Sequence, residues 1–204
     1  MIFCIIKPAR LGSSIGIEVI KRKEELNSAI EKILKYDERF LVEEYIENKK
    51  EYNCAVIGTY DKLETSAIEE IINEEGICTY QDKCTLENEE NSKIKRIYPA
   101  QISEGLIKEI KTHSKEIFKL LCAKGVLRVD FLYDAKKKKI YADEVNVIPS
   151  YFSHHLWPYK NIDYRALMDI MINQAIESVK KEKQNVLDNN VLDNLKSKDV
   201  KELK

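Results

Sequence analysis

Apolar positions follow two rhythms along this chain, one of two residues and one of three to four, separated by small and polar stretches. Residues 2–9, IFCIIKPA, form a nearly continuous apolar run closed by Pro8 and read as a buried strand. The small-residue loop GSSIG and a short strand, IEVI, follow. From Lys23 to Tyr36, Leu26, Ala29, Ile30, Ile33 and Leu34 recur at helical spacing, which predicts an amphipathic helix. RFLVEEYI and EYNCAVIG read as strands joined by the polar ENKK, and KLETSAIEEII extends the sheet. Residues 73–98 are polar and irregular, and a loop that long is usually functional or disordered. Ser103 caps a second helix with the apolar stripe Leu106, Ile110, Ile117, Leu120 and Leu121. A last helix starts from Asp163 and carries Leu167, Ile170, Met171 and Ile176. Beyond Lys180 the chain turns charged and asparagine-rich, so 181–204 is expected to be a polar tail.

Residues 128–148, RVDFLYDAKKKKIYADEVNVI, predict a β-hairpin with a five-residue loop and Asp134 opposite Ile140. That register sets Asp130 opposite Glu144 and Arg128 opposite Asn146 on one face. Leu127, Val129, Phe131, Val145 and Val147 share the other, expected to be core. Like charges opposed on a sheet are unfavourable, so Asp130 and Glu144 need free solvation or a cation between them.

Composition narrows the class. With 34 basic and 35 acidic residues the chain has no electrostatic footprint for nucleic acid. No stretch approaches the roughly 20 apolar residues of a membrane span, and MIFCII lacks the form of a signal peptide, so a soluble cytoplasmic protein is expected. The five scattered cysteines contain no Cys-x-x-Cys pair and are expected to be reduced and mostly structural.

Three clusters are polar where a purely structural sequence needs no polarity. KPARLGSSIG places Lys7 at a strand end before a loop rich in backbone N–H groups, which suits either a phosphate cradle or an ordinary tight hairpin. Glu43 and Glu44 end one strand and Glu51 opens the next, either as acids facing water or as a connector for a planar base and its sugar. Asp130, Glu144 and Asn146 are hard oxygen donors of the kind Mg²⁺ takes together with phosphate and water, and Arg128 beside them can stabilise an oxyanion.

Taken in order, a lysine-proline strand end, a Gly-Ser-Ser-x-Gly loop, a Val-Glu-x-x-Ile connector, an Arg-x-Asp strand and a Glu-x-Asn-x-x-Pro strand resemble the D-alanine:D-alanine ligases of the ATP-grasp superfamily, from about Ile2 to Ile176. The resemblance implies an α+β ATP-grasp fold, with antiparallel-rich sheets packed with helices and nucleotide held between two subdomains. Residues 1–49 would be a partial central subdomain and 50–180 the C-terminal one. Lys7 would contact ATP phosphates, with Gly12, Ser13, Ser14 and Gly16 closing over them. Ser13 would also secure the substrate region. Glu43, Glu44 and Ile46 would line the adenine site, Glu51 would bind ribose, and Lys83 would face the transferred phosphate. Asp130, Glu144 and Asn146 would hold Mg²⁺ or Mn²⁺, and Arg128 would stabilise the tetrahedral intermediate. The implied activity is ATP-dependent: a carboxylate is phosphorylated, then an amine attacks, as in peptidoglycan precursor synthesis.

Departures from the family pattern keep other readings open. Cys84 stands where tyrosine is usual, Ser150 where glycine is usual, and His155 precedes Leu156 where serine is often found, all near the expected substrate region. The resemblance begins inside the central subdomain and includes no N-terminal domain. The alternatives are a ligase for another carboxylate and amine pair, or an Mg-ATP-binding module without ligase activity. Partners would be D-alanine or a similar small molecule, a separately encoded N-terminal domain, or a second copy in a homodimer.

Overall fold

A computed structural model describes residues 4–12, 14–73 and 94–187, with side chains as far as 182. Eight strands and three α-helices are formed among them: β1 Cys4–Pro8, β2 Glu18–Ile20, α1 Leu26–Ile33, β3 Phe40–Glu44, β4 Lys50–Thr59, β5 Lys62–Asn73, β6 Ile94–Ile97, α2 Glu104–Leu120, β7 Gly125–Asp134, β8 Lys139–Asn146 and α3 Tyr164–Leu187. A three-stranded antiparallel sheet has the order β2-β1-β3, and a five-stranded sheet has the order β6-β5-β4-β7-β8. The chain divides into two compact units: residues 1–53, 68–110 and 129–144, and residues 54–67, 111–128 and 145–204.

In the first unit, strand alternation gives the small sheet a core face and a polar face. Cys4 and Ile6 of β1 and Ile20 of β2 pack against Ala29 and Ile33 of α1, with Leu26, Ile30 and Phe40 around them. Ile5 pairs with Glu43 and Lys7 with Leu41, so Lys7 and Glu43 lie diagonally on the opposite face. Asp37, in the turn between α1 and β3, accepts the Arg10 N–H at 2.8 Å and the Arg39 N–H at 3.1 Å. It thereby ties the loop after β1 to the start of β3.

The second unit closes over Trp157 and Leu167, both fully buried with Ala55, Ile57 and Val126. Gly58 is required where β4 turns into β5, because its φ is +143° and a Cβ there would meet the Lys62 carbonyl oxygen at 2.1 Å. Cys54 is buried, and burial pushes its thiol up to about 11, which makes it an inert packing residue. Among the described residues no helix is long and apolar enough to cross a membrane.

Four local expectations are corrected. The first helix begins as a 3₁₀ turn over Lys23–Glu25 and its α-helical part ends at Ile33, leaving Leu34 and Tyr36 exposed. Leu120 and Leu121 do not join the core, being 82% and 52% exposed, and Phe118 is buried in their place. The 128–148 hairpin has a four-residue turn at 135–138 rather than a five-residue loop. Asp134 holds that turn by accepting the N–H groups of Lys136 and Lys137, and Lys138 adopts a left-handed φ of 52°. Because β8 ends at Asn146, Val147 lies beyond the sheet and is 62% exposed instead of in the core.

The hydrogen bond that Asp37 accepts from the Arg39 N–H, helped by Arg10, holds its carboxyl below the ordinary value of 3.8. A depressed carboxylate stabilises the fold above its unfolded pKa, and the contribution is lost as pH falls through the folded pKa. Thermal melts of Asp37→Asn should therefore show a lower Tm than the parent chain at pH 7. The gap should close as the pH is taken below the Asp37 pKa, and a constant gap would rule out the carboxylate as its source.

Candidate functional site

The polar face of the small sheet carries the first group of site residues. Lys7 sits near the end of β1 with its side chain only 16% exposed, and its Nζ lies 2.7 Å from Glu43 Oε2 and 2.5 Å from Asp143 Oδ1. A half-buried ammonium needs such partners, since burial alone favours its neutral form. Burial lowers the Lys7 pKa, but the hydrogen bonds from its ammonium to Asp143 and Glu43 outweigh that and raise it above the ordinary value. Lys7 is thus a fixed cation.

The loop after β1 runs past the acidic hairpin. A Cβ built on Gly12 would lie 3.7 Å from Glu144 Oε1, so the loop passes close enough to that carboxylate for an added methyl to touch it. The Ile15 N–H donates to the Gly12 carbonyl at 3.2 Å, and Ser14 and Gly16 take left-handed φ values of 60° and 73°. At Gly16 a Cβ would crowd Pro8 at 3.0 Å and the Tyr36 ring at 3.1 Å. Glycine is needed there for both conformation and space.

Strand alternation orders the hairpin. Arg128 and Asp130 lie on one face of β7, both partly exposed, while Leu127 and Val129 are buried on the other. On β8, Glu144 and Asn146 share a face, and Tyr141, Asp143 and Val145 share the opposite one. Arg128, Asp130, Glu144 and Asn146 all take part in polar or electrostatic interactions. Among the described residues no three His, Cys, Asp or Glu side chains gather as a metal cage. Asp130, Glu144 and Asn146 are each oxygen donors of the kind that a hard divalent ion takes together with phosphate oxygens and water.

The remaining residues are dispersed. Glu44 is ion-paired with Lys137 at 2.6 Å, Glu51 with Lys49 at 2.7 Å, and Ile46 is buried. Ser150 is exposed at the head of a 3₁₀ segment, His155 is partly exposed, and Leu156 is fully buried. Between them Tyr151, Phe152 and Ser153 form a left-handed turn, with φ of 47°, 54° and 50°, and the buried Ser153 hydroxyl has no hydrogen-bond partner among the described residues. Ser13, Lys83 and Cys84 lie outside the described residues.

Two residues at this site had escaped notice in the sequence. Asp143 had a readable signal, since alternation puts an acid on the same face as Val145 and that acid needs a cation. Lys137 had none, because one lysine in a run of four is indistinguishable from its neighbours.

A helix-backed architecture of two sheets, with a lysine near a strand end, a glycine-serine loop after it and an acidic hairpin, is that of the ATP-grasp class, and solved structures agree. VanG D-Ala:D-Ser ligase from Enterococcus faecalis superposes with a TM-score of 0.69 at 31% identity, over 84% of this chain and 49% of that one. The D-alanine-D-alanine ligase from Coxiella burnetii shares the fold with a TM-score of 0.73 at 24% identity, over 93% of this chain and 49% of that one. The family model for the D-ala D-ala ligase C-terminus matches residues 2–173, and the chain belongs to that family. It is 38% identical to the D-alanine--D-alanine ligase of Thermosipho africanus over 93% of its length and 51% of the relative's. With the Ligilactobacillus salivarius ligase it shares 36% identity over 84% of its length and 46% of the relative's. The chain therefore spans about half the length of the relatives it matches.

Gly16→Ala should lower stability by about 1–2 kcal/mol through left-handed strain and crowding. Gly105→Ala, in the first turn of α2, where an added Cβ would meet nothing within 4 Å among the described residues beyond the adjacent helix backbone, should be neutral or raise stability by a few tenths of a kcal/mol. Chemical denaturation of the two variants checks the pair.

Proposed function

We propose that this chain is the nucleotide-binding catalytic portion of an ATP-dependent carboxylate-amine ligase of the D-alanine:D-alanine type, acting in the cytoplasm in peptidoglycan precursor synthesis. The observation that supports the reading is the approach of the Gly12 loop to Glu144, which brings the loop after the lysine-bearing strand beside an acid of β8 within the first unit. In this reading residues 1–49 and 50–180 serve as the two ATP-grasp subdomains and 181–204 as a polar tail.

Lys7 supplies a positive charge toward the nucleotide phosphates, and the backbone of Gly12 to Gly16 supplies N–H donors. Glu43, Glu44 and Ile46 present the connector to adenine, and Glu51 reaches the ribose hydroxyls. Asp130, Glu144 and Asn146 hold the divalent ion, Mg²⁺ or Mn²⁺. When bound, that ion neutralises charge on the phosphate oxygens during transfer. Arg128 stabilises the oxyanion that forms when the amine adds to the activated carboxyl, and Ser13 and Lys83 complete the phosphate side. Phosphate leaves as the amide bond closes. Ser150, His155 and Leu156 lie where the second substrate docks.

A second acceptor chemistry is favoured by one observation: VanG, named for joining D-Ala to D-Ser, is similar to this chain at 31% identity. Ser150 and His155 add polar groups suited to a hydroxylated amine substrate.

The test measures ADP release from Mg-ATP with D-alanine, and separately with D-alanine plus D-serine, with and without the N-terminal half of the Thermosipho africanus relative. Turnover with either acceptor supports the ligase. Nucleotide binding without turnover in any arm leaves a binding module and ends the ligase reading. Asp130→Asn and Glu144→Gln should each weaken Mg²⁺-dependent nucleotide binding by about tenfold or more while the circular dichroism stays unchanged. Unaltered metal dependence in both variants would return the hairpin to a solvated polar face.

A further inference from the structure

Lys7 is surrounded by more negative charge than it carries. Glu43 and Asp143 both lie within 2.7 Å of Nζ, so the three side chains sum to −1 around a site meant for a polyanion. A phosphate approaching this lysine must displace a carboxylate or accept its repulsion. Asp143 is also chain neighbour to Glu144, whose carboxylate lies beside the Gly12 loop. Glu43 is fixed by the antiparallel pairing of β3 with β1, whereas Asp143 reaches Lys7 from 136 positions away in the chain.

We propose that Asp143 is a specificity residue that makes nucleotide binding depend on the metal: it occupies Lys7 so that metal-free polyphosphate is rejected and only the metal-neutralised form is accepted. The inference rests on the nucleotide-site reading above and adds a residue and a function to it. At the surface of a protein, one extra charge within several ångströms changes the affinity for a polyanion by about tenfold. Without the Asp143 charge, Lys7 keeps Glu43 as its partner and the cluster becomes neutral.

The experiment is calorimetric titration of the full chain with the non-hydrolysable ATP analogue AMP-PNP, once in excess Mg²⁺ and once in EDTA, for the parent chain, Asp143→Asn and Asp143→Glu. Asp143→Asn should bind metal-free AMP-PNP about tenfold more tightly while its affinity in Mg²⁺ changes by less than about threefold, contracting the ratio between the two conditions. Asp143→Glu should restore the parent ratio. A ratio unchanged in Asp143→Asn overturns the inference while leaving the nucleotide site standing. A parent chain that binds AMP-PNP under neither condition overturns both. If Asp143→Asn does not fold, Asp143→Ser also removes the charge and is held to the same ratio.

Discussion

A lysine held largely out of water between two carboxylates anchors this structure. Lys7 on β1 reaches Glu43 on the neighbouring strand and Asp143 on β8, so one ammonium links both sheets within the first unit. The contact between Lys7 and Asp143 spans 136 positions of sequence, so closing it carries an entropic cost that the packing around it must offset. Partly buried charges impose this kind of discipline. Each loses hydration on burial and recovers it only if its partners arrive in the right geometry, so an error in packing strands an ion.

The same constraint explains the small sheet. Its core face, Cys4, Ile6 and Ile20 against α1, is ordinary apolar packing that many sequences could supply. Its other face has no such freedom, because Lys7 and Glu43 must sit diagonally across β1 and β3 for the ion pair to close. Gly16 and Asp37 then shape the two ends of the turns that bring these strands together, one by lacking a side chain and the other by binding two backbone N–H groups.

Much of the fold was legible because it rests on periodicity. The strands at Cys4–Pro8, Phe40–Glu44 and Gly125–Asp134 follow from apolar runs and alternation, and the helices at Leu26–Ile33 and from Tyr164 to about Lys180 from apolar residues three and four apart, whereas the last helix runs on to Leu187 through a stretch whose composition reads as tail. Where periodicity was followed to the last residue of an element or past it, it misled. Leu120, Leu121 and Val147 continue apolar patterns beyond the last residues in contact with the core, whereas Phe118 sits at the position that faces inward. Lys7 and Glu43 could be picked out as polar residues at strand ends, and Glu144 from its place opposite Asp130 in the expected hairpin register. Their arrangement could not, because it depends on Asp143: alternation marks that acid as needing a cation, but which cation, on a strand 136 positions away, is not written locally. The hairpin turn was misjudged by one residue for a related reason: its length is set by the Asp134 side chain capping Lys136 and Lys137, a detail that composition does not specify.

The left-handed turn at Tyr151–Ser153 has a consequence for how this region can diverge. Consecutive L-residues in that conformation are disfavoured by about 1–2 kcal/mol each, so an isolated peptide of this sequence would not adopt it. What keeps it is the neighbouring core, where Trp157 is fully buried and its indole N–H donates to the Phe152 carbonyl at 3.3 Å. The backbone path here is therefore inherited from tryptophan packing rather than from the residues that trace it. Divergence could exchange the side chains at 151–153 for glycine, asparagine or aspartate with little loss, but not for valine or isoleucine. A change at Trp157, well away from the exposed Ser150, would release the whole segment at once.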